Sequence, residues 1–197
     1  MIYRKNPKDF ITLIAQEHPE IHDALELAAT RVRDRKQAIK RYQAAILYKI
    51  ARRYGDQKDV TVVELGTRKG YSAAVIAQAL PDARIFTCET NVGNAEEAAA
   101  NLRLFPNVEI INMHSWNFLD KANDGRISLV FVDGDHEQVS KDMGWWVKVK
   151  EGGCMVFHDY SPLKFPAVVQ AVHSVKEPPD EVYVPVYNDQ GMAVLIK

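Results

Sequence analysis

Val62-Val63-Glu64-Leu65-Gly66-Thr67-Arg68-Lys69-Gly70-Tyr71-Ser72-Ala73 reads as a strand that ends at an acid, turns tightly and starts a helix. Val62, Val63 and Leu65 supply the apolar run of a buried parallel strand. Gly66 marks the strand end. Gly70 lets the backbone approach a neighbour and opens a helix expected over Tyr71–Leu80. A helix N-terminus behind a parallel strand is where α/β proteins hold small ligands. Glu64 constrains the ligand's charge, because an acid repels a pyrophosphate and suits an ammonium. The run Gly-Thr-Arg-Lys-Gly from Gly66 lacks the G-x-G-x-x-G of dinucleotide-binding folds.

Downstream the pattern alternates. Strands are expected at Val60–Leu65, Arg84–Glu89, Val108–Asn112, Ile127–Asp133 and Cys154–His158. Helices are expected at Asn94–Leu104, Trp116–Lys121, His136–Lys150 (stopped by Gly152-Gly153) and Pro166–Lys176. Glu181–Tyr187 and Met192–Lys197 then form a hairpin across a turn at Asn188–Gly191. Five βα units followed by a hairpin imply an α/β fold with a mostly parallel sheet and one antiparallel strand. Upstream, residues 1–59 read as helical. Asn6-Pro7 starts one helix. A longer one covers Ile21 to Tyr54, with a break near Thr30. We therefore expect residues 1–59 to be a helical extension on a core of 60–197, in a single compact domain.

Charge divides along the same line. Residues 1–59 carry a net +5 and residues 60–197 a net −6, within a chain of 197 residues at net −1. That balance does not suggest a general nucleic-acid binder. The basic residues Arg31, Arg33, Arg35, Lys36, Lys40, Arg41, Lys49, Arg52 and Arg53 fit a solvated helix face. They also fit a lid that attracts an anionic acceptor. Cys88 and Cys154 lack CxxC spacing, which argues against a structural zinc site. No secretory signal or membrane-spanning run is visible, so a cytoplasmic protein with reduced thiols is expected. A homo-oligomer is left open.

The run ELG-x-x-x-GYSA carries Arg68 where class I S-adenosylmethionine (SAM) methyltransferases usually have a middle glycine. It resembles the small-molecule O-methyltransferases related to catechol O-methyltransferase. A second pair of motifs agrees: Asp133-Gly134-Asp135-His136, and GG-x-x-x-FHDY ending in His158-Asp159-Tyr160. These resemble metal-dependent enzymes acting on catechols, caffeoyl-CoA and macrolide sugars. The resemblance implies a Rossmann-like, seven-stranded sheet with helices on both faces, SAM as cofactor, and a small-molecule acceptor. It also implies roles. Glu64, Gly66 and Ser72 hold the methionine end, with Thr67, Gly70 and Tyr71 in the same turn. Ser115 and Trp116 line the adenine. Asp133 touches both cofactor and metal. Asp133, His158 and Asp159 bind a divalent cation (Mg, Mn or another). His158 departs from the Asp or Glu usual in those relatives, which favours manganese, iron, cobalt or zinc over magnesium. Glu89, at the end of the second strand, suits two ribose hydroxyls in its own right, because one carboxylate accepts both hydrogen bonds.

His136, three residues beyond Asp133, stands where the relatives place a base, and it opens the following helix. The helix dipole there favours a neutral ring. A histidine of pKa ~6.5 facing an alcohol near ~16 is mismatched by roughly nine units, or about 12 kcal/mol. A metal lowers the pKa of bound water from 15.7 to about 7, so pairing the base with a metal closes most of that gap. Trp145 and Trp146, with Val139, Met143 and Val147, sit at helical spacing and read as core. Three rivals remain: a metal-independent SAM methyltransferase acting on nitrogen or nucleic acid, a metal site for hydrolysis or oxygen chemistry, and a non-catalytic SAM- or nucleotide-binding module.

Overall fold

A computed structural model describes residues 1–36, 38–187 and 190–197. Its centre is one sheet. Five strands follow the expected alternation: β2 (Thr61–Leu65), β3 (Arg84–Cys88), β4 (Val108–Ile111), β5 (Ile127–Val132) and β6 (Val149–Tyr160). The hairpin supplies β7 (Glu181–Pro185) and β8 (Gly191–Ile196). Asn188 and Asp189 of the expected turn lie outside the described residues. An additional strand, β1 (Ile2–Lys5), pairs in parallel with β7, giving the order β1-β7-β8-β6-β5-β2-β3-β4. The sheet therefore has eight strands, one more than expected, with β8 antiparallel to both of its neighbours. β1 escapes a sequence reading because it holds only Ile-Tyr-Arg-Lys. It is fixed by tertiary contact: Tyr3 stacks on Tyr183 of β7 with ring centroids 4.7 Å apart.

Helices cover both faces. On one side α1 (Pro7–Glu17), α2 (Ile21–Arg31) and α3 (Arg41–Arg52) pack with α4 (Tyr71–Ala79) and α5 (Val92–Leu102) in a shared core. Residues 1–59 thus contribute a strand to the sheet and three helices to its core, and are more than an appendage. On the other side α6 (Ser115–Leu119), α7 (Val139–Asp142) and α8 (Pro166–His173) cover a second core that includes the fully buried Trp145. No helix among the described residues is long and apolar enough to cross a membrane.

Two expected helices are shorter than their patterns. The stretch from Ile21 to Tyr54 does break close to Thr30, but the break is long: α2 ends at Arg31 and the helix resumes only at Arg41. No proline or glycine breaks it. Val32 and Ile39 are instead drawn into the core, and Asp34 pairs with Lys69 at 2.7 Å, so tertiary contacts replace helical ones. The helix expected over His136–Lys150 is only the single turn of α7 followed by 3₁₀ structure from Met143 to Lys148. Gly152-Gly153 does not stop it. Both glycines lie inside β6, which the register shifts to accommodate, and a Cβ on Gly153 would meet the Ser128 carbonyl oxygen at 2.9 Å.

Candidate active site

The carboxyl ends of β2 and β5 lie side by side where the strand order reverses, the usual ligand position in such sheets. Gly66 makes this approach possible. It sits at φ +104°, and a Cβ there would collide with the Asp133 carbonyl. Its N–H and that of Thr67 both donate to the Cys88 carbonyl at 3.0 Å, tying the turn to β3. Gly70 answers a different need. At φ +90° it precedes α4, and a Cβ would lie 2.7 Å from Leu102, so it serves helix packing more directly than ligand approach.

A cavity of about 640 Å³ opens along this edge. Gly66, Thr67, Tyr71, Ser72, Glu89, Ser115, Trp116, Asp133, His136, His158 and Asp159 all line it, so most of the expected site residues meet in one place. Glu64 does not line it. The side chain is fully buried beneath the turn and accepts from the Thr87 hydroxyl, which in turn takes the Thr67 hydroxyl proton. Burial pushes the Glu64 carboxyl up to about 8, and the nearby Ser72 and Thr87 hydroxyls oppose the shift. The acid therefore underlies the expected ammonium position instead of facing it.

Glu89 is better placed. One oxygen accepts from the Arg68 N–H at 2.7 Å and the other from the Asn91 N–H at 2.8 Å, which fixes the carboxylate at the cavity wall. Arg68 adopts a left-handed backbone (φ 47°) to make its bond. Beyond β4, His114 stacks on Trp116 at 4.3 Å and the Lys141 ammonium lies 4.5 Å from the centre of the same ring. Both contacts compete with a flat ligand for the indole faces. Ser115 donates to the buried carboxylate of Asp142, a cavity residue that the motifs do not single out. The available signal was spacing, since Asp142 follows Val139 by three residues on a buried face.

The acceptor end is a cluster of acids and histidines. His158 Nδ1 lies 2.8 Å from Asp133 Oδ1 and 3.2 Å from Asp159 Oδ2, and His136 Nε2 lies 3.1 Å from that same Asp159 oxygen. Burial works against charge on His158, but the two carboxylates prevail and hold the imidazolium up to about 10. Burial likewise disfavours the Asp159 carboxylate, and His136 and His158 overcome it, holding the group well below the usual carboxylate range. Asp159 has φ 53°, a strained value of the kind that collects at functional sites.

One expectation about His136 changes. It precedes α7 by three residues, so it does not open a helix, and a four-residue helix supplies little dipole. Its ring is instead held against Phe165, with centroids 4.3 Å apart. As for metal, Asp133, His136 and Asp159 can each offer one atom within 4.8 Å of the others. That set contains His136 in place of the expected His158. The residues fit a divalent cation by number and chemistry.

The remaining wall comes from the break between α2 and α3. Val32, Ala38, Ile39, Lys40, Tyr42 and Gln43 line the cavity, and Tyr42 is pushed up to about 12 by burial and by the Asp159 charge. Of the nine basic residues read as a helix face, Lys40 is the one among the described lining residues. Others pair with acids: Lys49 with Glu17, Arg52 with Glu20 and Arg53 with Glu181. Tyr160 turns away from the cavity and its hydroxyl lies 2.8 Å from His173 Nε2.

Residues 63–160 match the methyltransferase domain family Methyltransf_24. A catechol O-methyltransferase of Mycobacterium tuberculosis (strain ATCC 25618 / H37Rv) is 29% identical over 102 residues. That match spans 50% of this chain and 46% of the relative, so the chain matches about half the length of its curated relative. Among solved structures, the O-methyltransferase TomG of Streptomyces achromogenes, involved in tomaymycin synthesis and in complex with SAM, superposes with a TM-score of 0.67 at 24% identity. The superposition covers 88% of this chain and 89% of that one. An O-methyltransferase of Bacillus cereus bound to SAH superposes with a TM-score of 0.66 at 16% identity, covering 91% of each chain. The fold is theirs, and residues 63–160 carry the methyltransferase domain that the family match describes.

Proposed function

We propose that this protein transfers a methyl group from SAM to a hydroxyl of a small molecule, with a divalent metal assisting. One observation carries the reading. A single cavity joins the turn at Gly66–Ser72 and the Glu89 carboxylate to the acid–histidine cluster at the ends of β5 and β6. In this reading Gly66, Thr67 and Ser72 hold the methionine end, Glu89 the ribose and Ser115 the adenine side. Methyl transfer then needs little beyond in-line placement of the acceptor oxygen against the sulfonium methyl. Ala38 to Gln43 form part of the cavity wall, and a cavity of about 640 Å³ suits a small acceptor better than a nucleic acid. Cytoplasmic residence is part of the same reading.

Asp133, His136 and Asp159 would hold the metal, which supplies positive charge to make the acceptor hydroxyl more acidic. His158, bracketed by Asp133 and Asp159, would keep both carboxylates oriented. The same bracket favours a second reading. The His158 imidazolium already provides a cation between the two acids, which leaves His136 free as a base without metal.

Calorimetry separates these. Micromolar SAM binding, with a metal signal that disappears in Asp159→Ala, supports the first reading. SAM-dependent turnover that persists in EDTA selects the second. Failure to bind SAM in any condition overturns both.

A further inference from the structure

We propose that Gln190 makes Asp159 a one-oxygen ligand and thereby tunes which divalent cation the acid–histidine cluster accepts. The inference deepens the metal-assisted reading above and rests on it.

The two oxygens of Asp159 are held differently. Oδ1 accepts from the Gln190 side-chain amide at 3.1 Å, an aligned hydrogen bond. Oδ2 lies 3.1 Å from His136 Nε2 and 3.2 Å from His158 Nδ1. Those are close approaches without alignment, since both nitrogens are buried and neither makes a hydrogen bond among the described residues. The Oδ2 side is therefore the one open to a cation, while the Oδ1 side is already taken.

Gln190 is fixed at its other end as well. Its amide oxygen accepts from the Lys164 ammonium at 3.2 Å. A carboxylate on one end and an ammonium on the other demand the same amide orientation. The backbone beside it is anchored too. Gly191 pairs with Tyr160, next to Asp159, and a Cβ on Gly191 would lie 2.6 Å from the Tyr183 carbonyl oxygen. The C-terminal hairpin thus delivers the Gln190 side chain to the cavity at Asp159.

A carboxylate that grips a cation with both oxygens must turn both towards it, which here would break the Gln190 bond. Calcium takes about six to eight oxygens and often uses both of a carboxylate's. Manganese, cobalt and zinc accept imidazole beside single carboxylate oxygens. Holding Oδ1 therefore favours the transition ions beyond what His136 contributes. A Gln190 that merely ties the hairpin to β6 would affect all cations alike.

The test is calorimetry of manganese and of calcium on the intact protein saturated with SAH. Gln190→Leu should weaken manganese by about 30-fold, within the usual cost of losing a partner that orients a metal ligand. Calcium should weaken by no more than about threefold, because the freed carboxylate can turn both oxygens to it. The preference for manganese then falls by about tenfold. Lys164→Met leaves Gln190 in place but unanchored, and should move the ratio the same way by about threefold. Retained SAH affinity shows that a variant is folded, and if Gln190→Leu loses it, Lys164→Met decides alone. Equal losses for the two cations overturn the assignment, and so does an unchanged ratio. A wild type that binds SAH but neither cation sinks the metal-assisted reading and this assignment with it. Binding of both cations with a ratio indifferent to Gln190 sinks only the assignment.

Discussion

The two halves of the cavity hold buried acids in opposite ways. Under the β2 turn, Glu64 is sealed away with hydroxyl neighbours and favours its protonated form. At the end of β6, Asp159 is nearly as buried but sits between His136 and His158 and favours its ionised form. The difference follows from partners: burial raises both groups, the hydroxyls beside Glu64 offset it only in part, and the two histidines beside Asp159 reverse it. One half is a polar platform suited to positioning a ligand. The other is a charged cluster suited to chemistry.

Asp159→Ala should break that contrast most sharply. Removing it leaves two histidines facing Asp133 alone. We expect methyl transfer to fall about 10³-fold, in the range of a lost acid–base or metal-supporting group, with SAH affinity changed less than about threefold. Rapid-quench turnover beside calorimetry reads both numbers. Equal losses in the two would mean that the halves are not separable.

Glu64→Gln probes the platform through pH. The folded-state pKa of about 8 lies above the ordinary glutamate value of 4.5. The folded protein therefore retains a proton that the unfolded chain releases, and stability is lost as pH rises from about 4.5 towards 8. Glutamine does not titrate, so its stability relative to wild type should grow across that window by on the order of 3–5 kcal/mol. Urea melts at several pH values test this. A flat difference would show that Glu64 is ionised when folded.

Glycine substitutions give a smaller contrast. Gly66→Ala combines a left-handed backbone with a backbone collision and should cost about 3 kcal/mol. Gly152→Ala has the positive φ but nothing within 4 Å, and should cost about 1 kcal/mol. Chemical denaturation of the pair checks the ordering.

The platform was legible because its residues are local. Val62 to Ser72 lie in one strand–turn–helix, and Glu89 sits at the next strand end. The charged cluster was legible in composition but not in arrangement. Strand alternation sends neighbouring side chains to opposite faces, which would separate His158 from Asp159. The left-handed backbone at Asp159 accompanies an arrangement in which both reach the cluster. The break near Thr30 was legible, but its length and its place in the cavity wall were not, for another reason. It contains no proline or glycine, and the contacts that create it, such as Asp34 with Lys69, join residues 35 positions apart. The metal and base roles proposed for His136 and His158 likewise depend on side-chain geometry that no local pattern encodes.

Cys88 on β3 and Cys154 on β6 are both free, both buried, and pushed up by burial to about 12 and about 11. A thiol reagent reaches the fully buried Cys154 only when its strand opens, whereas Cys88 borders the cavity, so one modification rate reports opening of β6 and the other access beneath the β2 turn. One thiol lies beside the platform and the other in the strand that leads to the charged cluster. Together they form a pair of native probes that can time, without any engineered label, whether the two halves loosen together or apart.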